Sequence, residues 1–454
     1  MKRLTCMMLV FLLLCACLPT PETDAVVNRN DEDMDLLISE TPAPGSVCIR
    51  DAVLALPNGR RTDEHEVTAH LSLAEEADVG GAKLIFDANV IVPDFADWPV
   101  FEAERDRWSA EERIAMLKAA ASDAPIYAPG VYLHADKAYF EQVLKEMADS
   151  ERIQALDRSR AENGEQTRTE SVREYYNAAP KTIEKNPFDE SKQTDSEWIG
   201  AFYFNSEQNV YVDFSSSETT VTLSVFDRRI DPEDWILQED PASGLPGRAL
   251  NNPSLTQDQA TERALAFLTR IGFADAAPAD AEIKKARRTH AFTLAAESEG
   301  YLLVFRKRIN GIPGIGPDHP EANQDVAAYA EAWPQERAEL YVDGDGIWSF
   351  AWSNPTRITK KLTDSAALLD FDAVLRFVKA RLRADNGNAA ERMIASVCVT
   401  RMRLGYCIVP KKDAPEVGFT LPVWIVDYEV AFSDGRTVPY SFSISALNGA
   451  NLHL

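Results

Sequence analysis

Cysteine and histidine are scarce: the 454 residues hold six of each. Three of the cysteines, Cys6, Cys15 and Cys17, fall at the very start, which leaves Cys48, Cys398 and Cys407 for the rest of the chain. A framework of disulfides is therefore excluded; at most one can form, and small buried thiols are the expected state. Cys398 and Cys407 lie along one extended stretch, too far apart to pair unless the chain bends near Gly405. Positive charge is short as well. Lys and Arg number 47 against 72 Asp and Glu, a net charge of −25. Such a surface repels nucleic acid and anionic headgroups and favours cationic partners. Beyond the leader, no run approaches the ~20 apolar residues of a membrane-spanning helix. No G-x-x-x-x-G-K phosphate loop, no G-x-S-x-G elbow and no local signature of a thiol protease occurs. The hydrophobic share is 45%, enough for real cores. Global disorder is thus excluded, and the length predicts two or three domains.

What is present starts at the leader. Lys2 and Arg3 precede the apolar stretch Leu4–Leu14, too short to span a bilayer and shaped like an export signal. It ends in Leu14-Cys15-Ala16-Cys17, which resembles a bacterial lipobox. The resemblance implies removal of residues 1–16 and lipidation of Cys17, with the body held at the outer face of the cytoplasmic membrane. A plain secretory signal with incidental cysteines is the alternative. Two or three acyl chains, at ~0.8 kcal/mol per buried CH₂, anchor stably. Without Lys2 and Arg3 the mature chain carries 45 basic against 72 acidic residues, net −27.

Residues 17–46, rich in Pro, Thr, Asp and Glu, read as a tether with one short helix near Met34–Ile38; an ordered arm is the alternative. A first α+β domain is expected over 47–250. In AKLIFDANVIVP (82–93), Leu84, Phe86, Ala88, Val90 and Val92 alternate as a strand that Pro93 ends. Ser109 and Glu112 form a capping-box pattern before Ile114, Leu117 and Ala121. One helix is expected from Asp136 towards Arg160, with Phe140, Val143 and Met147 on one face. The polar stretch 157–196 reads as a mobile insert, strands follow over 198–226, and 231–253 reads as a connector. Two units of one helix then a sheet come next, over 254–365 and 366–454. In the first, Thr256 and Gln259 cap a stripe of Ala260, Ala264, Phe267 and Ile271, closed by Gly272. Its strands are expected over 282–295, 301–309, 337–343 and 347–353. In the second, Asp370 caps the stripe Phe371, Val374, Leu375, Val378 and Leu382, and strands follow over 394–409, 418–432 and 437–446. Each helix stripe needs a sheet to bury against.

The stretches QDQATERALAFLTRIGF (257–273), YLLVFRKRINGIP (301–313) and SISALNGANL (443–452) are similar to the PepSY and cystatin-like pattern of a helix wrapped by long strands. CLPTPETDAVVNRN (17–30), FDANVIVPD (86–94), WPQERAELYVDGDGIWSFAWSNP (333–355) and LPVWIVDYEV (421–430) further resemble an uncharacterised family of Gram-positive anaerobe lipoproteins. The likeness covers most of the body, least well at 157–196. It implies an α+β fold and, loosely, inhibition or regulation of proteins outside the membrane; it implies no activity, cofactor or catalytic residue.

Three stretches invite chemistry. In HEVTAH, His65 and His70 are five apart, so neither a helix nor a strand brings them to one metal, and a surface strand is expected. VDGDG offers Asp343 and Asp345, but the twelfth place of a calcium loop falls on Asn354. A tight hairpin is expected instead. Trp348, Phe350 and Trp352 alternate onto one face, expected to be core beneath the 256–271 helix, with an aromatic binding platform as the alternative. The long loop 311–334 is the candidate contact surface, through His319, Asn323, Tyr329 and Trp333. The reading that results is a lipid-anchored, non-enzymatic binding or regulatory protein acting on an envelope protein, without metal or cofactor. The alternatives are capture of a peptide or glycan and, third, a wall hydrolase built on two facing carboxylates.

Overall fold

A computed structural model describes residues 48–225, 254–316 and 333–452, apart from 63–64, 80, 130–135, 184, 209, 279–283, 290–295, 388, 390–391 and 412–413. The leader, the tether with its short helix, and the 231–253 connector lie outside the described residues. The described helices are α1 (Ile49–Leu54), α2 (Ala110–Ala121), α3 (Lys137–Asp149), α4 (Glu151–Glu162), α5 (Arg168–Ala178), α6 (Gln257–Arg270) and α7 (Phe371–Asp385). The strands begin with β1 (Arg60–Arg61), β2 (Glu66–Val79), β3 (Ala82–Pro93), β4 (Val100–Arg105), β5 (Ile126–Tyr127), β6 (Ile199–Asn205), β7 (Val210–Ser216) and β8 (Thr220–Val225). They continue with β9 (Ala276–Pro278), β10 (Lys284–Thr289), β11 (Ala296–Ile309), β12 (Ile312–Pro313), β13 (Arg337–Asp343) and β14 (Gly346–Ser353). The last are β15 (Thr356–Thr363), β16 (Ile394–Lys411), β17 (Ala414–Phe432), β18 (Thr437–Ser445) and β19 (Asn451–Leu452).

The fold is α+β, but its two sheets do not follow the linear division into 47–250, 254–365 and 366–454. One sheet runs β1-β2-β3-β16-β17-β18-β19, with β4 paired to β17 and β15 paired to β4. The other runs β10-β11-β13-β14-β8-β7-β6-β5. Each therefore mixes strands from the first 225 residues with strands from the last 200 or so. The cause is main-chain pairing. The hairpin β2–β3 leaves the far edge of β3 open, and β16 closes it in parallel from Ser396↔Lys83 to Arg403↔Ile91. β8 likewise finds its second neighbour in β14, from Ser349↔Ser224 to Ser353↔Thr220. Unpaired strand edges buried in a body cost too much to persist.

Local signals are realised where they were read. Ser109 with Glu112 and Thr256 with Gln259 form reciprocal capping boxes, and the Asp370 carboxylate accepts from Ala373 N. Such caps contribute about 1 kcal/mol each. The α6 stripe of Ala260, Ala264, Phe267 and Leu268 packs on β11 and β13. Phe267 meets Phe350 edge-on at 5.2 Å, and Trp348, Phe350 and Trp352 are buried in the same core. α2 lies on that core too, so two helices share this sheet. α7 buries Phe371, Val374, Val378 and Leu382 against the first sheet, with Phe371 beside Trp424.

Two expectations are corrected. The helix from 136 to 160 breaks at Ser150, whose hydroxyl caps α4 by accepting from Ile153 N. The stretch 157–196 is not a bare insert. α4, through its first turn, and α5 close over α3, so that Ile153, Val172 and Ala179 join Phe140, Val143 and Met147 in a small separate core.

Candidate functional site

The two sheets are stitched together where β11 ends. Asn310 and Gly311 both take positive φ, 53° and 82°, and Ile309 pairs with Ile312 across them. A two-residue turn of this hand favours Asn-Gly, which is what the sequence places there. The returning segment 312–316 reaches the other sheet. Gly314 bridges Tyr406 in parallel, Ile315 N donates to Tyr406 O at 2.9 Å, and the Cys407 thiol donates to Ile315 O at 2.9 Å. Gln335 adds a second stitch. Its amide donates to Ile408 O at 2.8 Å and accepts from Ile408 N at 3.1 Å, standing in for a strand neighbour.

Between the stitches lies a cleft of about 250 Å³. Ile309, Ile315, Ile358, Ile408 and Phe101 supply apolar wall, and Arg306, Lys307 and Arg308 supply positive charge. One carboxylate lines it among the described residues, Glu336, at the turn into β13. Its side chain is 5% exposed and takes the Lys307 ammonium at 2.8 Å. It also accepts from Trp352 Nε1 at 2.9 Å and from Thr356 N at 3.0 Å. Burial holds this carboxyl above the usual carboxylate range, against the opposing pull of Lys307 and of the hydrogen bonds. Tyr406, at the back, donates to Pro99 O at 2.5 Å and meets Trp98 edge-on. Burial likewise pushes the Cys407 thiol up to about 12, which makes it a packing group and not a nucleophile.

Of the candidate contact residues, His319, Asn323 and Tyr329 lie outside the described residues. Trp333 is corrected: it is 1% exposed, packed with Ala103 and Ile408 under the Arg105 guanidinium, and presents nothing to a partner. Large aromatics carry the most apolar area to remove from water, and this one closes the wall beside the cleft. His65 and His70 do not converge: His65 stands at positive φ before β2, and His70 meets Asp87 across the hairpin at 2.9 Å. Asp343 is held by its own hairpin, accepting from Asp345 N, Gly346 N and Trp348 Nε1. Among the described residues no group of three or more His, Cys, Asp or Glu could hold a metal ion. The described cysteines are free thiols.

No family model and no curated protein matches the chain. Among solved structures, the crystal structure of an uncharacterized protein from Eubacterium rectale is similar over 86% of this chain and 94% of that one, at 9% identity and a TM-score of 0.43. A likeness at that score carries nothing about function, so the site stands on its own geometry. Among the described residues no helix is long and apolar enough to cross a membrane.

The seam makes one testable demand. A Cβ on Gly405 would stand 2.8 Å from Pro313 O and 2.7 Å from Ile315 Cγ2. Gly405→Ala should lever segment 312–316 off β16 and cost ~1–3 kcal/mol by overpacking. Amide hydrogen exchange should rise at Ile315 while the core of α6 stays protected. Unchanged exchange at Ile315 would show that the stitch does not depend on this close approach.

Proposed function

We propose that the chain is a lipid-anchored, extracytoplasmic binding protein, non-enzymatic, that acts on an envelope protein or peptide through the seam cleft. The observation that carries the reading is the cleft itself: an apolar hollow with basic residues of β11 in one wall, held between two sheets by hydrogen bonds from the backbone and from the Cys407 and Gln335 side chains. Concave, mostly apolar hollows with a few convergent polar groups are where ligands bind. The anchor rests on Leu14-Cys15-Ala16-Cys17 and its likeness to a lipobox. Binding is preferred to glycoside hydrolysis because that chemistry uses two carboxylates across a cleft. The described lining has Glu336 alone, and its oxygens are engaged by Lys307, Trp352 and Thr356.

The test is in-cell photo-cross-linking from position 358, at the rim, where Ile358 is 40% exposed. The expected result is one dominant envelope protein or peptide, lost when Ile408→Trp fills the hollow, together with a lipidated N-terminal peptide beginning at Cys17. Capture that is indifferent to Ile408→Trp would remove the cleft from the reading. An unmodified N-terminus upstream of Cys17 would remove the anchor.

A further inference from the structure

One strand at the mouth of the cleft has an open edge. β15 pairs with β4 and, among the described residues, with no other strand. Asp106 N donates to Pro355 O at 2.9 Å, just outside the partnership of Thr356 with Arg105. In an antiparallel ladder that bond marks Thr356 and Arg105 as a non-hydrogen-bonded pair, so the N–H and C=O of Thr356 point away from β4. The Thr356 N–H does turn away: it donates to the Glu336 carboxylate at 3.0 Å. Ile358, opposite Ala103, stands two residues further along and repeats the geometry. Its N–H and C=O therefore face outward along the open edge. Register shifts beyond Ile358 and again beyond Lys361 interrupt the regular ladder, so the usable edge is short.

The same strand opens onto the cleft. Thr356 and Ile358 line it, as does Phe101 of β4, and Ile358 is 40% exposed. Directly opposed residues of an antiparallel pair put their side chains on one face. A residue that exchanged both hydrogen bonds with Ile358 would thus set its own side chain beside that of Ile358, over the hollow. The volume, about 250 Å³, and the walls of Ile309, Ile315 and Ile408 suit one apolar side chain and not a helix. Charge decides which strand is admitted. Residues 356–363, TRITKKLT, hold Arg357, Lys360 and Lys361 and no acid. Arg357 meets Glu104 at 3.2 Å and Lys361 meets Asp364, but both pairs are exposed and therefore weak. Lys360 is exposed as well. A second copy of β15 would set cations against cations, which is destabilising, whereas a strand that carries acidic residues is attracted.

Resting on the binding role of this cleft, we propose that its ligand is an extended acidic segment of a partner protein, added as a short antiparallel strand to the edge of β15. The residue opposite Ile358 exchanges two main-chain hydrogen bonds and drops an apolar side chain into the hollow. The backbone then supplies affinity and the hollow supplies selectivity. The probe is fluorescein-labelled Glu-Thr-Leu-Thr-Glu with an amidated end, titrated by anisotropy against the full-length chain in detergent. Two relatives accompany it, one with N-methyl-leucine and one with alanine in place of leucine. The plain peptide should bind. Each relative should be ~10-fold weaker, the first through a lost hydrogen bond and the second through lost apolar burial. Ile358→Pro removes the outward N–H, a change that edge strands tolerate, and Ile358→Ala keeps it. The two variants should melt alike, and Pro should bind the peptide ~10-fold more weakly than Ala. Should Pro lower the melting temperature, the N-methyl comparison on the wild-type chain decides. Equal binding of the plain and N-methylated peptides, or of the Pro and Ala variants when they melt alike, overturns strand addition and leaves the hollow as a side-chain pocket. No binding of any peptide, with position 358 still capturing a partner in cells, overturns strand addition alone. No binding and no capture overturns this inference and the proposed function together.

Discussion

Glu336→Ala should lower the unfolding free energy by ~3–5 kcal/mol, read as a shift in the urea midpoint. The reason is what the carboxylate leaves behind. Trp352 Nε1 and Thr356 N both point at it from within the protein and would lose their acceptor. A buried donor without a partner costs ~1–3 kcal/mol. Lys307 suffers less, because its side chain is a third exposed and can rehydrate. Glu336→Gln should cost less than Ala, since one oxygen survives as an acceptor, but it places an amide where a donor already points. The pH dependence separates charge from geometry. Burial raises the folded-state pKa of Glu336 above its unfolded value. Its contribution is therefore fully present below the unfolded pKa, near ~4.3, and is lost as pH rises through the folded pKa. Gln does not titrate. The stability gap between wild type and Glu336→Gln should be widest in acid and should narrow as pH rises. A gap that widens instead would show that the Lys307 pair outweighs burial.

The elements that could be read from residues alone were those whose causes are local. Ser109, Thr256 and Asp370 announce helix starts because the capping hydrogen bonds span only three residues. Leu84, Phe86, Ala88, Val90 and Val92 announce a strand because alternation is a property of the strand itself. The hairpin at 343–346 and the burial of Trp348, Phe350 and Trp352 follow from the same short-range logic. What stayed hidden was long-range. Nothing near residue 86 says that β3 will pair with β16, more than 300 positions on, and two sheets assembled that way erase linear domain limits. The cleft was hidden for the same reason. Its cations sit in YLLVFRKRINGIP and its carboxylate in WPQERAELYV, stretches that stood out in the sequence as strand and turn signals. Three consecutive basic residues before an Asn-Gly turn, in so acidic a chain, were the available clue. Trp333 misled because a tryptophan in an irregular loop reads as exposed, whereas its own area drives it inward.

Arg113 carries the second large effect. It is fully buried on α2, four residues before Leu117 and eight before Ala121, on the stripe that sequence spacing assigns to apolar side chains. Its guanidinium serves as a bracket. Nη1 donates to Glu197 O at 2.8 Å and to Ser216 O at 3.4 Å; Nη2 donates to Thr194 O at 3.0 Å and to Asp195 O at 2.8 Å. Nε reaches Ser109 O at 3.4 Å, at the cap of its own helix. One side chain thus joins the start of α2 to the 194–197 segment and to the end of β7. Burial pulls its pKa down against the opposing influence of Asp195 and Glu218, yet a guanidinium keeps its proton. The five carbonyl oxygens share that charge in place of water. Arg113→Met keeps most of the volume and removes every donor, and should cost ~3–5 kcal/mol, several hydrogen bonds to a charged group being lost together. Arg113→Lys should recover little of this, because a single ammonium cannot span carbonyls on two sides of the fork. Hydrogen exchange should quicken over 194–198 and at Ala110, whose N–H is held by Asp195 at 2.5 Å, while the core of α7 on the other sheet keeps its protection. A loss below ~1 kcal/mol in the Met variant would mean that water replaces the guanidinium at those carbonyls, and that the 194–197 segment is held by the sheet beneath it and not by the arginine.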